Sequence, residues 1–287
     1  MIIDSHQHVF WHGRDDRGLV DDMAAHGIDL AWLLTWEIPR GDFDSKYSGV
    51  LNPSHIRADG SHPGIPLQDL LVTRDRYPDK FVLGYCPDPA KPNAPALLEA
   101  ATRMHDVRVC GEWKFRMLID DPRSIELFRA AGSLGLPVVL HLDIPWLNGV
   151  YQHEWYGGTV ENLERTLQAC PKTQFIGHAP GFWREIAGAA ENTQYPEGKV
   201  TSPGRLYEMF DKYPNLYADL SANSGLKALT RDPVHARSFI LRFSDRLLFA
   251  RDYYEGQLRD FLETLDLPAS EKKRLYEDNA RSLVPLK

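Results

Sequence analysis

Residues 2–9 read Ile-Ile-Asp-Ser-His-Gln-His-Val and join a short apolar run to two histidines one residue apart. The run predicts a buried β-strand, in which the two-residue side-chain period directs His6 and His8 to the same face. Two imidazoles that project together are good ligands for Zn²⁺ and similar divalent ions. Taken alone, the pair is a weak signal for a metal site, and two hydrogen-bonded histidines are the more common reason for such a pattern. The rest of the chain has to decide between these alternatives.

Further apolar runs follow at intervals typical of repeated βα units. The eight predicted strands are Ile2–Val9, Leu30–Thr35, Phe81–Tyr85, Val109–Phe115, Pro137–Leu142, Gln174–His178, Leu216–Leu220 and Leu247–Ala250. Segments with helical spacing lie between them, among them Ala96–His105, Ser124–Gly132, Val160–Ala169, Arg205–Lys212 and Gln257–Leu265. Eight units favour a closed (β/α)₈ TIM barrel over an open doubly wound sheet, which usually has fewer strands and a glycine-rich phosphate turn. No G-x-G-x-x-G motif follows the first strand.

We predict a single barrel domain over residues 1–287, because no internal repeat, low-complexity tract or linker divides the chain. Two connections are unusually long: a βα loop at about 37–66 and an insertion at about 190–203 in the sixth unit. Barrel enzymes build their active sites from the loops at the carboxyl ends of the strands. These connections are therefore expected to border the site.

The 287 residues are 43% hydrophobic and 25% charged, which is typical of a globular protein. A net charge of −7 without a sustained basic run argues against nucleic acid as a partner. The three cysteines lack CxxC spacing and indicate neither a disulfide framework nor a thiolate zinc site. No apolar stretch is long enough to span a membrane, and the first residues lack the pattern of a signal peptide, so we expect a cytoplasmic protein.

Three more candidate site residues lie at the ends of predicted strands. His141 lies near the end of the fifth run, His178 ends the sixth, and Asp252 follows the eighth. In a closed barrel these ends face the active site, so the three side chains are expected to converge on His6 and His8. A lone histidine at such a place is usually a hydrogen-bonded core residue, whereas five polar side chains at one rim indicate a functional site.

The fourth predicted strand places Glu112, Lys114 and Arg116 on one face. Charges inside a barrel are costly unless they are paired or functional, so these residues are either substrate contacts or, for Glu112 and Lys114, an internal ion pair. Trp183 and Arg184 follow the sixth strand and are candidate substrate contacts or packing residues of a capping loop. Two histidines in loops are more distant candidates, namely His12 and His153.

Five motifs follow one another along the chain: Ile-Asp-Ser-His-Gln-His, Gly-His-Ala-Pro-Gly, Tyr-Ala-Asp-Leu-Ser, Ala-Arg-Asp-Tyr and Asp-Asn-Ala-Arg-Ser-Leu. Their order and spacing resemble the amidohydrolase superfamily over nearly the whole chain. Within it they resemble the amidohydrolase-related branch, which includes aminocarboxymuconate-semialdehyde decarboxylase and pyrone dicarboxylate lactonase. Arg251 departs from this pattern, because relatives often have a small residue there; its strand position predicts a side chain that points outward.

The resemblance implies that four side chains surround one divalent metal, Zn²⁺ or alternatively Mn²⁺. These ligands are His6, His8, His141 and Asp252. It further implies that His178 lies nearby as a catalytic or substrate-polarising group. In that arrangement His178 and Asp252 manage the proton of a metal-activated water. Other branches of the superfamily bridge two metals with a glutamate or a carboxylated lysine of the fourth strand. Glu112 or Lys114 could act in this way, or Lys114 could anchor a substrate carboxylate or carbonyl.

The implied activity is metal-dependent hydrolysis of a small carboxylated lactone, ester or amide. The alternative is a non-oxidative decarboxylase of a small aromatic or enoic acid. Many decarboxylase relatives have an acidic residue in place of the first histidine of the pair, and this chain has His6, which favours hydrolysis. A non-catalytic binding barrel is disfavoured by the intact set of site residues. We expect a small anionic substrate as the partner, and a homodimer from the resemblance.

Overall fold

The computed structural model describes residues 1–188 and 193–286, and its centre is a nearly closed barrel of eight parallel strands. The barrel strands are β1 (Ile3–Gln7), β2 (Leu30–Leu34), β3 (Phe81–Gly84), β4 (Val107–Trp113), β5 (Val138–His141), β6 (Phe175–His178), β7 (Leu216–Asp219) and β8 (Leu247–Leu248). Each strand pairs with the next one along the chain. The predicted (β/α)₈ fold is confirmed, with β8 two residues shorter than predicted.

Hydrogen bonds across the seam between β8 and β1 bring the two ends of the sheet together. The backbone N–H of Ser5 donates to the carbonyl oxygen of Phe249 at 3.0 Å. The backbone N–H of Asp252 donates to the carbonyl oxygen of His6 at 2.8 Å. Side chains from seven of the barrel strands fill the lower part of the lumen: Ile3, Trp32, Leu34, Val82, Val109, Val139, Ile176 and Leu248. Ala280 and Val284 near the carboxyl end of the chain pack against this cluster. The polar residues at the opposite end of the lumen therefore lie above an apolar plug.

Helices cover the outside of the barrel. They are α1 (Asp16–Ala25), α2 (Leu67–Arg76), α3 (Ala94–His105), α4 (Pro122–Ser133), α5 (Val160–Ala169), α6 (Pro180–Trp183), α7 (Arg205–Lys212), α8 (Ala222–Thr230), α9 (Pro233–Phe243), α10 (Gln257–Thr264), α11 (Ala269–Lys273) and α12 (Asn279–Leu283). Short 3₁₀ turns occupy Ser45–Gly49, Pro53–His55 and Arg184–Ile186, and a π-helical turn occupies Arg274–Asp278. None of the helices in the described parts of the chain is long and apolar enough to cross a membrane.

The long connections lie beside the carboxyl ends of the strands. The one after β2 is closed at its base by an antiparallel pair of short strands, Trp36–Glu37 and Gly64–Ile65. The one after β5 contains a second short hairpin, Trp146–Leu147 with Val150–Tyr151. Of the predicted insertion at about 190–203, residues 190–192 lie outside the described residues.

Two irregularities in strand register decide which side chains enter the lumen. In β1, Asp4 and Gln7 pair with Ala31 and Leu33, so three steps on one strand match two on the other. An extra residue of this kind is a β-bulge, which re-aims the following side chains and is common next to active sites. The same three-to-two mismatch occurs in β4 between Cys110 and Trp113. The bulges therefore lie next to His6 in β1 and Glu112 in β4.

Arg251 points away from the lumen, as its strand position predicts. Its guanidinium contacts Asp4 of β1 at 2.7 Å and Asp22 of α1 at 2.8 Å, and all three side chains are almost fully buried. Because Asp4 precedes His6 and Arg251 precedes Asp252, this buried ion cluster ties together the two strand ends that carry candidate site residues.

Candidate active site

A cavity of about 650 Å³ opens at the carboxyl ends of the barrel strands. Its walls contain candidate chemical groups from several strands, namely His8, Glu112, Lys114, His141, His178 and Asp252. Aromatic side chains from the surrounding loops complete the walls, including Trp11, Trp36, Tyr47, Tyr195 and Tyr253. The two distant loop candidates, His12 and His153, also line the cavity. The barrel thus brings most of the predicted residues to one place.

Three histidines turn the same ring atom toward the centre of the site. His6 Nδ1 lies 2.9 Å from Asp219 Oδ2, His178 Nδ1 lies 2.9 Å from Asp219 Oδ1, and His8 Nδ1 lies 2.9 Å from the carbonyl oxygen of Leu34. With Nδ1 held in this way, each imidazole presents Nε2 to the interior. Metal-binding histidines are commonly oriented by hydrogen bonds of this type.

Glu112 lies between these imidazoles. Its Oε1 is 4.0 Å from Nε2 of both His6 and His178, and its Oε2 is 3.5 Å from Nε2 of His8. Asp252 lies on the other side, with its carboxylate oxygens 3.6 Å from His8 Nε2 and 3.9 Å from His178 Nε2. Three overlapping groups have ligand atoms close enough to hold a metal ion: His6–His8–Glu112, His6–His178–Asp252 and Glu112–His141–His178.

His141 takes a different position from the other three histidines. Its Nδ1 lies 2.6 Å from Glu112 Oε1, and its Nε2 lies 2.9 Å from Asp143 Oδ2. Both ring nitrogens thus contact carboxylates. Burial and the charge of Lys114 lower the pKa of His141, but Asp143 and Glu112 outweigh them and raise it overall.

Charge interactions keep the Glu112 carboxylate ionised. Burial raises the pKa of Glu112, but the positive charges of Lys114 and His141 hold it well below its usual value. Burial lowers the pKa of His6, whereas the neighbouring Asp219 carboxylate raises it, to about 9 in the absence of a cation. In the described part of the chain, His6 Nε2 is buried without a hydrogen-bond partner. A buried imidazole nitrogen without a partner, beside two carboxylates, suits a divalent cation that takes the place of the ring proton, so these residues fit the metal that the sequence predicts.

Lys114 lies on the cavity wall with only 9% of its surface exposed. Burial lowers its pKa, but the negative charge of Glu112 dominates and raises it. The ammonium therefore remains charged at neutral pH.

Three predicted substrate contacts lie away from the cavity lining. Trp183 is buried against Phe239, and its indole N–H donates to the carbonyl oxygen of Asp219 at 3.0 Å. Arg184 lies beside Glu185, and Arg116 is partly buried near the end of the fourth strand. The short helix α6 directly after His178 turns Trp183 into the packed layer outside the barrel, which explains why nearness in sequence does not bring it to the cavity.

Asp219 is a site residue that the sequence reasoning missed. It is fully buried at the end of β7, where one carboxylate contacts Nδ1 of both His6 and His178. Ser221 Oγ donates to the same carboxylate at 2.6 Å. The available signal was its place at the end of a predicted strand, which is the criterion that selected His141 and His178.

We predict that Asp219→Asn weakens metal binding by about 10- to 100-fold, the usual effect of removing a carboxylate that orients a metal-ligating histidine, here His6. The amide can accept a hydrogen bond from only one of the two imidazoles, so the other loses its orientation. Metal affinity measured by competition with a chelator checks this. Ser221→Ala serves as the matched control, since it leaves both carboxylate–imidazole contacts in place. Equal affinity in Asp219→Asn and wild type would show that Asp219 does not orient metal ligands.

A protein-family model described as amidohydrolase matches residues 3–286. The chain belongs to the amidohydrolase family. It is accordingly an enzyme, and the family assignment made from its motifs is confirmed. No curated protein matches this amidohydrolase at the sequence level.

Several solved structures share the fold of this amidohydrolase. A 2,6-dihydroxybenzoate decarboxylase from Rhizobium has 16% sequence identity and a TM-score of 0.58, with 98% of each chain covered. A candidate 2-pyrone-4,6-dicarboxylic acid hydrolase from Pseudomonas putida has 16% identity and a TM-score of 0.60, covering 98% of this chain and 96% of that one. A dihydroxybenzoic acid decarboxylase from Polaromonas sp. JS666, with bound manganese and the inhibitor 2-nitroresorcinol, has 17% identity and a TM-score of 0.57, with 98% and 96% covered. Similarity at this level shows a shared barrel.

Proposed function

We propose that this amidohydrolase is a metal-dependent hydrolase that acts on a small carboxylated lactone, ester or amide. The observation that supports the proposal most directly is the buried set of Nε2 atoms of His6, His8 and His178 beside two carboxylates at the base of an open cavity. A bound Zn²⁺, or alternatively Mn²⁺, would act as a Lewis acid that lowers the pKa of a water molecule and polarises a carbonyl group. The proposed metal ligands are His6, His8, His141 and Asp252, and Glu112 is close enough to join them.

Asp252 and His178 are the proposed acid–base groups. The Asp252 side chain is 12% exposed and lines the cavity, so its carboxylate can accept a proton from an attacking water. His178 Nε2 lies 3.9 Å from Asp252 Oδ2. A substrate oxygen bound beside this pair can therefore contact both side chains. Asp219 and Ser221 hold the opposite side of the His178 ring at 2.9 Å, which fixes the direction in which Nε2 points.

Decarboxylation of a small aromatic or enoic acid is the second candidate. The cavity walls include the rings of Trp11, Trp36 and Tyr47, which form a surface suited to a planar substrate. Aromatic rings pack favourably against one another in offset or edge-to-face arrangements. These walls suit a planar acid in either reaction.

Isotope labelling distinguishes the two reactions. Metal-loaded protein is incubated in H₂¹⁸O with a panel of carboxylated lactones, esters, amides and aromatic acids. We expect one ¹⁸O atom in the product acid and no release of CO₂. Release of CO₂, with a solvent hydrogen at the carbon that carried it, would replace hydrolysis by decarboxylation. Parallel incubations with Asp252→Asn serve as the control. Turnover by a contaminating enzyme would be the same in the variant and wild-type preparations.

A further inference from the structure

Lys114 is a buried cation that contacts no carboxylate in the described parts of the chain, residues 1–188 and 193–286. It is 9% exposed, and among the described residues no carboxylate oxygen lies within 4.0 Å of its ammonium group. Lysines this buried are almost always paired, since an isolated charge is costly to remove from water. An unpaired ammonium on a cavity wall therefore indicates that the missing anion comes from a bound molecule.

Glu112 does not neutralise Lys114 by contact. Its two oxygens face the histidines, 2.6 Å from His141 Nδ1 and 3.5 Å from His8 Nε2. Its charge attracts the ammonium only at longer range, which helps to keep the cation charged. The internal Glu112–Lys114 ion pair that the sequence offered as an alternative is thus not formed.

Aromatic rings surround the ammonium of Lys114. Its Nζ lies 4.2 Å from the ring centre of Trp36, 5.3 Å from that of Tyr156 and 5.8 Å from that of Tyr47. Ring faces stabilise a cation through their quadrupole without removing its charge. They also supply flat apolar walls next to the charge. Lys46, which lines the same cavity, differs because it forms an ion pair with Glu154.

We propose that Lys114 binds a carboxylate of the substrate and that the rings of Trp36 and Tyr47 contact the planar or unsaturated carbon skeleton attached to it. Lys114 follows Glu112 by two residues and lies directly after the end of β4, and both side chains line the cavity. Two residues of extended backbone span about 7 Å. The carboxylate is therefore a few bonds from the reacting carbon. The substrate class is a small planar organic acid. The inference rests on the proposed function only for what happens to the acid after it binds. Binding of the acid by Lys114 requires neither the metal nor turnover.

Binding of benzoate and of its neutral analogue benzamide tests the proposal. Isothermal titration calorimetry is run on wild type, on Lys114→Met and on Lys46→Met, each with and without prior treatment with a chelator. We expect wild type to prefer benzoate over benzamide by about 10- to 100-fold, the range for a hydrogen bond to a charged group. Lys114→Met should remove that preference while benzamide binds as before, and Lys46→Met should retain it. Lys114→Arg should restore most of the preference, because the positive charge returns.

Several outcomes would overturn the inference. Wild type could bind both ligands equally or fail to bind benzoate, or Lys114→Met could keep the preference for benzoate. Loss of metal from Lys114→Met, measured by elemental analysis, would instead make Lys114 part of the metal site. If Lys114→Met does not fold, as its circular dichroism spectrum would show, the comparison of benzoate with benzamide in wild type and in Lys114→Gln still decides. A protein that binds benzoate through Lys114 but hydrolyses nothing would refute the proposed function alone.

Discussion

Asp252→Asn and, in a separate variant, His178→Asn are expected to lower turnover by about 10²- to 10⁴-fold, the usual contribution of a general acid or base. Asn keeps the shape of Asp252 but cannot accept the proton of an attacking water. It also suits the backbone, since residue 252 has a positive φ of 61°, a conformation that Asn adopts more readily than most residues. The variant should therefore keep the fold, and the loss should be confined to the chemistry.

Steady-state kinetics at saturating metal, with the metal content of each variant measured, checks this expectation. Asp211→Asn is a suitable control, because Asp211 is an exposed carboxylate paired with Arg242 on the outer surface. Removal of such a surface pair changes stability by less than about 1 kcal/mol and should leave turnover at the wild-type level. Wild-type rates in Asp252→Asn or His178→Asn would remove that residue from the catalytic groups. A fall in rate that matches a fall in metal content would restrict Asp252 to the role of a ligand.

The barrel could be predicted from the sequence because its strands are short apolar runs with helical segments between them. Helix α5, Val160–Ala169, was predicted to the residue, because Thr159 and Asn162 mark its first turn with a reciprocal capping pattern. Strand ends were less well predicted: β8 ends at Leu248 because the chain beyond it turns into the rim that carries Asp252. Local sequence patterns thus predict the presence of a strand or helix better than its first and last residues.

The site could be predicted in part. His6, His8, His141, His178 and Asp252 were selected by their places at strand ends, and the structure brings all five together. The direction of the side chains was harder to predict from the sequence. Ile3 points into the lumen, so strict alternation along β1 would point His6 outward, toward the helices. The bulge in β1 reverses that alternation, and nothing in the residue types signals it.

Asp219 shows a second limit of the sequence. Its importance comes from contacting two histidines that lie 213 and 41 residues away, which only the closed barrel brings together. Arg251 shows the same dependence, since its partners Asp4 and Asp22 come from the other end of the chain. Their places at strand ends mark these residues as candidates, but the partners that give them their roles are visible only in the folded barrel.

Metal content is expected to fall from about one divalent ion per chain in wild type to almost none in the double variant His6→Ala/His8→Ala. These two side chains supply two of a small number of ligand atoms, and His6 Nε2 is already buried without another partner. Elemental analysis of purified protein after metal loading and gel filtration measures this. Added Zn²⁺ or Mn²⁺ should also raise the Tm of wild type but not that of the variant, because only a folded state that binds the ion is stabilised.

The matched control is His105→Ala/His235→Ala, which removes two histidines from helices α3 and α9 on the outside of the barrel. Its metal content should equal that of wild type. About two ions per chain in wild type would place Glu112 or Lys114 among the ligands. Glu112 is close enough, because its Oε1 lies near His6, His141 and His178 and its Oε2 lies near His8. Equal metal content in wild type and His6→Ala/His8→Ala would place the ion elsewhere. Absence of metal from the loaded wild type would mean that these imidazoles hold the substrate directly or that the barrel is not catalytic.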